Sequence, residues 1–318
     1  FISTSSNTIK GECPLNSIVT LWTLSAAFFK INLPTLVDPV IDTFLIISES
    51  NNSFEISAGS PDKRFTTPSG IPPGVVNLLS GDPEEVSNEL ISSNIVKKVS
   101  ITGSTRVGKL ILKKAADKVQ RVTMELSGHA PFIVFEDSNI DKVTDMAITS
   151  KYRNNGQVCI SPSRFYIHES KKNEFAKTFV EKTKKLKLGD GMKEGVNLGP
   201  ITTKKRLEEI EKLVEKTKKE GGKVLYGGKR PAGFNKGYFY EPTIIDNVQD
   251  DFTVMTEEPF GPITAITTFK NFDEVIKRAN KHDCGLAGYV CTNSMEKAFK
   301  ASEQLETGVV AVNTPVVA

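Results

Sequence analysis

The chain is poor in the residues that build metal centres and crosslinks. Its 318 residues include three histidines (His129, His168, His282), no two of them close in the chain, and four cysteines (Cys13, Cys159, Cys284, Cys291). Without a CxxC pair or an even cysteine spacing, neither a zinc site nor a disulfide framework is indicated. A histidine-activated nucleophile is equally disfavoured, and the thiols fit a reduced, cytoplasmic compartment. Long apolar runs are missing too. The one worth testing, Ile18 to Phe29, has twelve residues, against about 20 for a membrane span. Its signal-peptide flanks are weak, because Glu12 intrudes after Lys10 and no convincing small-residue cleavage site follows. A buried strand or helix is the better reading. Nor is there an excess of either charge. The 41 basic and 38 acidic residues leave a net charge of +3, which argues against nucleic acid or an anionic membrane as partner.

What is present is an alternation. A chain of this length can bury a large core and suggests two domains. From about residue 70 onward, helix and strand signals alternate as in a mainly parallel α/β protein. Asp82-Pro83-Glu84-Glu85 is a helix start with a capping aspartate and a proline suited to the first turn. Strands are expected at 96–102, 122–126, 131–135, 164–168, 224–226, 263–269, 287–291 and 309–312. Helices are expected at 82–92, 109–119, 141–154, 170–188, 203–220, 272–281 and 294–305, with a loop running from Tyr226 through Glu257. The Lys-rich helix 170–188 is interleaved with glutamates and reads as a solvated face. Residues 1–69 differ. They are rich in Ser, Asn and Thr, with apolar patches of no clear period, and take no firm assignment.

Four short segments carry chemistry. Gly103-Ser-Thr-Arg-Val-Gly108-Lys109-Leu110 joins a strand to a helix, a place where backbone N–H groups and the helix dipole favour phosphate. It nearly matches an ATP-binding loop, but Leu110 stands where the magnesium-binding hydroxyl belongs, which undercuts an ATPase. Glu125 ends a strand, and partial burial there would lift its carboxyl toward a general-base range. Cys159 follows Asn155, Gly156 and Gln157, with Gly156 read as a flexible approach; a thiol can attack a carbonyl carbon and hold the product covalently. Glu258-Pro259-Phe260-Gly261-Pro262 sets a carboxylate, able to bind paired ribose hydroxyls, beside a flat aromatic face. Cys284 and Cys291 sit beside and in an apolar strand and read as structural.

Taken singly, each segment has an ordinary explanation. In their order and spacing, together with Ile71-Pro-Pro-Gly-Val-Val-Asn-Leu-Leu-Ser-Gly81, they resemble the aldehyde dehydrogenase superfamily over roughly residues 70–313. Arg153-Asn154-x-Gly156-Gln-Val-Cys159 looks like its succinate-semialdehyde and 2-oxoglutarate-semialdehyde branch. The resemblance implies an incomplete dinucleotide-binding parallel-sheet domain (70–127, Rossmann-like) followed by an α/β catalytic domain (128–318). It implies Cys159 as nucleophile, forming a thiohemiacetal and then a thioester, and Glu125 as activator of the hydrolytic water. It further implies NAD or NADP as cofactor, with Gly103, Ser104, Val107 and Leu126 beside it, Glu258 on the nicotinamide ribose and Phe260 near the ring. Arg153 would pair with the far carboxylate of the aldehyde substrate.

The family's Pro-Trp-Asn-Phe-Pro segment, source of an oxyanion-hole asparagine, is not found, since Trp22 is the only tryptophan and is followed by Thr23 and Leu24. The Lys-Pro-(Ser/Ala)-Glu segment is absent where Glu49-Ser-Asn-Asn stands. The chain also stops before the last glycine-rich loop and the strand that usually builds homo-oligomers. The expectation is therefore a member truncated at both ends, with impaired activity. The alternative is an inactive remnant serving as a nucleotide- or partner-binding scaffold.

Overall fold

The structure, a computed structural model, describes residues 18–25, 44–49, 76–80 and 82–316, with side chains from residue 82 onward. The chain divides into two units, Phe1–Leu126 and Ser127–Ala318. The expected α/β fold is what it adopts.

In the N-terminal unit five parallel strands pair in the order β3-β2-β1-β4-β5. They are β1 (Ile18–Ser25), β2 (Phe44–Glu49), β3 (Val76–Ser80), β4 (Lys98–Gly103) and β5 (Arg121–Leu126). Strand β1 (with Trp22) lies within the apolar run Ile18–Phe29, open to a buried strand or a buried helix, and β2 falls in the segment that takes no firm assignment. Strands inside a parallel sheet show no apolar–polar alternation, so a short apolar run there can be read as either element. Much of the rest of 1–69, including Ser50-Asn51-Asn52, lies outside the described residues.

Helix α1 (Pro83–Ser92) starts as expected: the Asp82 carboxylate accepts from the amides of Glu84 and Glu85 at 2.9 and 3.0 Å. Helix α2 (Thr105–Ala116) starts four residues earlier than its apolar pattern suggests, because the Ser104 hydroxyl caps it by accepting from the Val107 amide. A small core of Ile91, Val96, Val99, Ile101 and Ile111 joins helices to sheet.

The C-terminal unit has seven strands in the order β12-β11-β6-β7-β10-β9-β8, all parallel except β8 against β9. They are β6 (Pro131–Val134), β7 (Arg164–His168), β8 (Lys223–Tyr226), β9 (Thr243–Asp246), β10 (Ile263–Phe269), β11 (Ala287–Cys291) and β12 (Val309–Val312). Strand β9 and a one-turn helix α6 (Thr253–Thr256) lie in the stretch read as loop.

Alternation sorts the sheet's side chains to two cores. Ile133, Tyr166, Ala265 and Val290 join α5 (Lys204–Lys219), α7 (Phe272–Ala279) and α8 (Met295–Gln304). Phe132, Phe165, Ile266 and Tyr289 join α3 (Ile140–Tyr152) and α4 (Lys172–Thr183). Each such large apolar side chain contributes about 1.5–3 kcal/mol on burial. Among the described residues, no helix is long and apolar enough to cross a membrane, and no group of His, Cys, Asp and Glu is placed to hold a metal ion.

Candidate active site

Five of the nine candidate site residues lie in the N-terminal unit and cluster at one end of its sheet. Gly103 and Leu126 are register partners at the carboxyl ends of β4 and β5, and Glu125 pairs with Thr102 one step earlier. Ser104 and Val107 open α2. Gly108 sits so close to β5 that an added Cβ would meet Leu126 Cδ2 at 2.8 Å, so helix and strand pack at glycine distance. The strand order runs outward from β1 to β3 on one side, then through β4 to β5 on the other. In such open sheets the crevice at the carboxyl ends, where the order reverses, is the ligand site. One reading changes. Glu125 is exposed rather than partly buried, since β5 alternates exposed and half-buried residues along its whole length. Val107 is half-buried against the small core.

The other four, Arg153, Cys159, Glu258 and Phe260, lie in the C-terminal unit. Helix α3 ends at Tyr152, and Asn154, Asn155 and Gly156 follow with φ of 48°, 57° and 71°. Three consecutive left-handed residues turn the chain sharply out of the helix, a conformation that asparagine and glycine tolerate best. Side-chain amides hold the turn. Asn154 Nδ2 donates to the Gln157 carbonyl at 3.0 Å, Asn155 Nδ2 to the Gly199 carbonyl at 2.9 Å, and the Thr202 amide donates to Gln157 Oε1 at 2.9 Å.

Cys159 emerges from this turn half-buried. Arg153, at the helix end, is exposed. Burial pushes the Tyr289 phenol up to about 12, with Arg153 opposing the shift and Cys159 adding to it, so all three share one electrostatic neighbourhood. The Tyr289 hydroxyl itself donates to the Ile160 carbonyl at 2.8 Å.

Glycines bring the remaining segments to the cysteine. A Cβ on Gly156 would lie 2.2 Å from the Gly261 carbonyl oxygen, and one on Gly128 would lie 2.5 Å from that of Cys159. Gly156 is thus required for close approach, rather than for a flexible one. Glu258 is half-buried, and burial lifts its carboxyl to about 7; a Ser127 hydrogen bond, the charges of Arg206 and Lys151, and the Gly128 amide work against that rise. Phe260, at φ 38°, packs its ring under the Arg206 guanidinium, 5.7 Å from carbon to ring centre. Glu257 is exposed, so only one of the two adjacent carboxylates is taken into the structure.

A residue that sequence reasoning missed is Lys151. It stands on the stripe Val143–Ala147–Lys151 of α3, where helical spacing calls for an apolar side chain, and it is 1% exposed. That misplaced lysine was the signal. Its Nζ donates to Ser161 Oγ at 3.3 Å, Ser161 Oγ donates back to the Lys151 carbonyl at 3.1 Å, and burial pulls the amine down to about 7 against the pull of Glu258. The fold also pairs two histidines far apart in the chain: the His129 and His282 rings lie 5.0 Å apart. His282 accepts from the Cys284 amide and donates to the Thr256 carbonyl, the pattern of a neutral ring. Burial and nearby cations hold His129 well below the usual imidazole range. Cys291 is buried in β11, its thiol pushed up by burial, as a structural cysteine should be.

The aldehyde dehydrogenase family profile matches residues 64–318. The chain belongs to the aldehyde dehydrogenase family. A succinate-semialdehyde dehydrogenase [NADP(+)] of Schizosaccharomyces pombe is 40% identical over 255 residues, 80% of this chain and 52% of the relative. A glutarate-semialdehyde dehydrogenase of Pseudomonas putida is 39% identical over 78% of this chain and 51% of its own length. The structure of a 3,6-anhydro-L-galactose dehydrogenase in complex with NAP superposes with a TM-score of 0.80 at 32% identity. That match covers 94% of this chain and 63% of that one. The chain spans about half the length of the two curated relatives.

Proposed function

We propose that the chain oxidises an aldehyde bearing a distal carboxylate to the corresponding acid, with NAD or NADP as oxidant. The observation that carries this reading is the convergence, within the C-terminal unit, of Gly128, the Cys159 turn and the Glu258–Pro262 segment, held together by the close approaches at Gly128 and Gly156. Those are the segments whose order pointed to the family.

A dinucleotide suits the groups present. The start of α2 offers amide donors and a favourable dipole for a pyrophosphate beside Gly103 and Ser104, with Val107 and Leu126 as apolar neighbours. Glu258 supplies a carboxylate for paired sugar hydroxyls, and Phe260 a flat face. When bound, the nicotinamide supplies the hydride acceptor. The chain's own residues do the rest. The Cys159 thiolate adds to the aldehyde carbon, giving a thiohemiacetal whose loss of hydride leaves a thioester on sulfur. Glu125, exposed at the end of its strand, takes a proton from water as that water attacks the thioester carbon, and Cys159 leaves as thiolate with release of the acid. Arg153, whose guanidinium matches a carboxylate in two parallel hydrogen bonds, selects the semialdehyde. The names of the two semialdehyde relatives support the same substrate class.

The test is oxidation of succinate semialdehyde followed by NADPH and NADH absorbance, with Cys159→Ala as control. Turnover abolished in that variant is expected. Turnover unaffected by it would remove Cys159 from the chemistry, and dinucleotide binding without turnover in the unaltered chain would favour the scaffold reading.

A further inference from the structure

The turn that carries Cys159 is an expensive piece of backbone. Asn154, Asn155 and Gly156 hold left-handed φ in succession, and such a conformation persists only where the surroundings over-determine it. Part of that support comes from outside the turn. Asn155 Nδ2 donates to the Gly199 carbonyl, the Thr202 amide donates to Gln157 Oε1, and the Tyr289 hydroxyl donates to the Ile160 carbonyl.

The base of the turn is tied by another pair. Lys151 leads into it from the last turn of α3 and Ser161 leads out of it, both buried, at 1% and 7% exposure. Lys151 Nζ donates to Ser161 Oγ at 3.3 Å, and Ser161 Oγ donates to the Lys151 carbonyl at 3.1 Å. That carbonyl belongs to the end of α3, where carbonyls look outside the helix for donors. The Ser161 amide donates to the Val158 carbonyl at 2.9 Å, so the same serine closes the segment that holds Cys159. One hydroxyl thus joins the end of the helix to the end of the turn, and the amine fixes which way that hydroxyl points.

Packing does not account for the lysine. It stands on the buried stripe Val143–Ala147–Lys151 of α3, where an aliphatic side chain would support folding with no charge to desolvate. Burial pulls its amine down to about 7. A side chain that opposes folding where an apolar one would favour it points to a use other than packing.

We propose that Lys151 and Ser161 form a clasp across the base of the Cys159 turn, which makes Lys151 a positioning residue for the nucleophile. Its purpose rests on the reading of Cys159 given above, but the clasp itself does not. Attack on a carbonyl carbon tolerates little error in where the sulfur sits, and a misplacement of about 1 Å can cost about a hundredfold in rate.

The test separates positioning from stability. Lys151→Met removes the amine and with it the cost of burying a cation, so its melting temperature should be no lower than that of the unaltered chain. Its kcat on succinate semialdehyde should nevertheless fall roughly tenfold or more, with KM within about twofold. Ser161→Ala should lower kcat likewise, Ser161→Thr, which keeps the hydroxyl, should restore it, and the double variant Lys151→Met/Ser161→Ala should be no slower than the slower single one. An unchanged kcat in Lys151→Met overturns the proposal, as do single effects that simply multiply or a fall in kcat that tracks a fall in melting temperature. Should Lys151→Met not fold, Ser161→Ala and its threonine rescue decide alone. The clasp also has a readout that needs no turnover: amide hydrogen exchange at Gln157 and Ser161 should quicken in Lys151→Met while the first turns of α3 keep their protection, and unaltered exchange there overturns it. An unaltered chain that oxidises no aldehyde overturns the reading of Cys159 instead, and the exchange rates still decide the clasp.

Discussion

The two units solve the same packing problem with different reserves. In the C-terminal unit β6, β9 and β11 are buried at every position, and aromatic side chains stack through the layer: Phe132 on Phe165 at 4.9 Å and Phe175 on Phe179 at 5.4 Å. In the N-terminal unit β5 alternates exposed with half-buried residues, and the described core is a handful of Ile and Val side chains. Cys159, the proposed nucleophile, is thus embedded in the heavily packed unit, and the helix start proposed to hold phosphate is carried by the lightly packed one. A covalent step needs its attacking atom held to within about 0.5 Å, whereas a dinucleotide brings binding energy of its own to the groups it touches.

The sharpest way to break this comparison is to strike the tightest approach. Gly156→Ala sets a Cβ 2.2 Å from a backbone carbonyl at a φ of 71°, so the Cys159 turn and the Glu258 segment must separate. Expected are a stability loss of about 4 kcal/mol or more, from overpacking and backbone strain together, and abolished turnover, measured by thermal melting and NADPH formation. A folded, active Gly156→Ala chain would show that the convergence of these segments is not what catalysis depends on.

Core truncations follow in size. Phe165→Ala should cost about 3–5 kcal/mol and Ile111→Ala about 2–5 kcal/mol, but in different places. Amide hydrogen exchange should show Ile111→Ala lowering protection in β4 and β5 while β6 and β7 keep theirs. Equal losses in all four strands would erase the distinction between the units.

Next comes pH. With its carboxyl lifted from 4.5 to about 7 by burial, folded Glu258 keeps a proton that the unfolded chain has released. Its contribution to stability is fully present below about pH 4.5 and is lost as pH rises to about 7. Lys151, pulled from 10.5 to about 7, has the opposite sign: its contribution is complete above 10.5 and is lost as pH falls to about 7. Glu258→Gln should therefore flatten the decline in stability between pH 4.5 and 7, measured by urea midpoints across that range. An unchanged slope would place the titration elsewhere.

Much of this was legible in the sequence, and the failures have physical causes. Helices with a wide apolar stripe and a capping residue, such as α5 behind Thr203, could be read nearly to the residue. Strands β2 and β9 could not, and β1 only as an apolar run open to strand or helix, because parallel-sheet strands lack alternation and a short apolar run does not by itself distinguish the two elements. The spacing of four motifs named the family, but no spacing says that Gly156 must face Gly261 or that Glu125 is exposed. Those facts depend on partners a hundred residues away, or on which edge of a sheet a strand occupies. Lys151 lay open to discovery: a lysine on the buried stripe of a helix contradicts the pattern around it, and such contradictions concentrate at working sites.

The smallest expected effect probes the lightly packed unit where it meets its proposed ligand. Ser104→Ala removes the side-chain acceptor from the Val107 amide and should cost about 1 kcal/mol in the N-terminal unit. A plain helix cap stops there. If the start of α2 also cradles phosphate, loosening it should weaken NADP⁺ binding several-fold, while the Cys159 thiol keeps its reactivity toward a small alkylating agent. Ser104→Asp separates the two roles. It restores the cap, because a carboxylate accepts the same amide, yet it sets a negative charge beside the pyrophosphate, so stability should recover while affinity falls further. Recovery of both would mean that the helix start is structural and that the dinucleotide reading must look elsewhere in the N-terminal unit for its phosphate site.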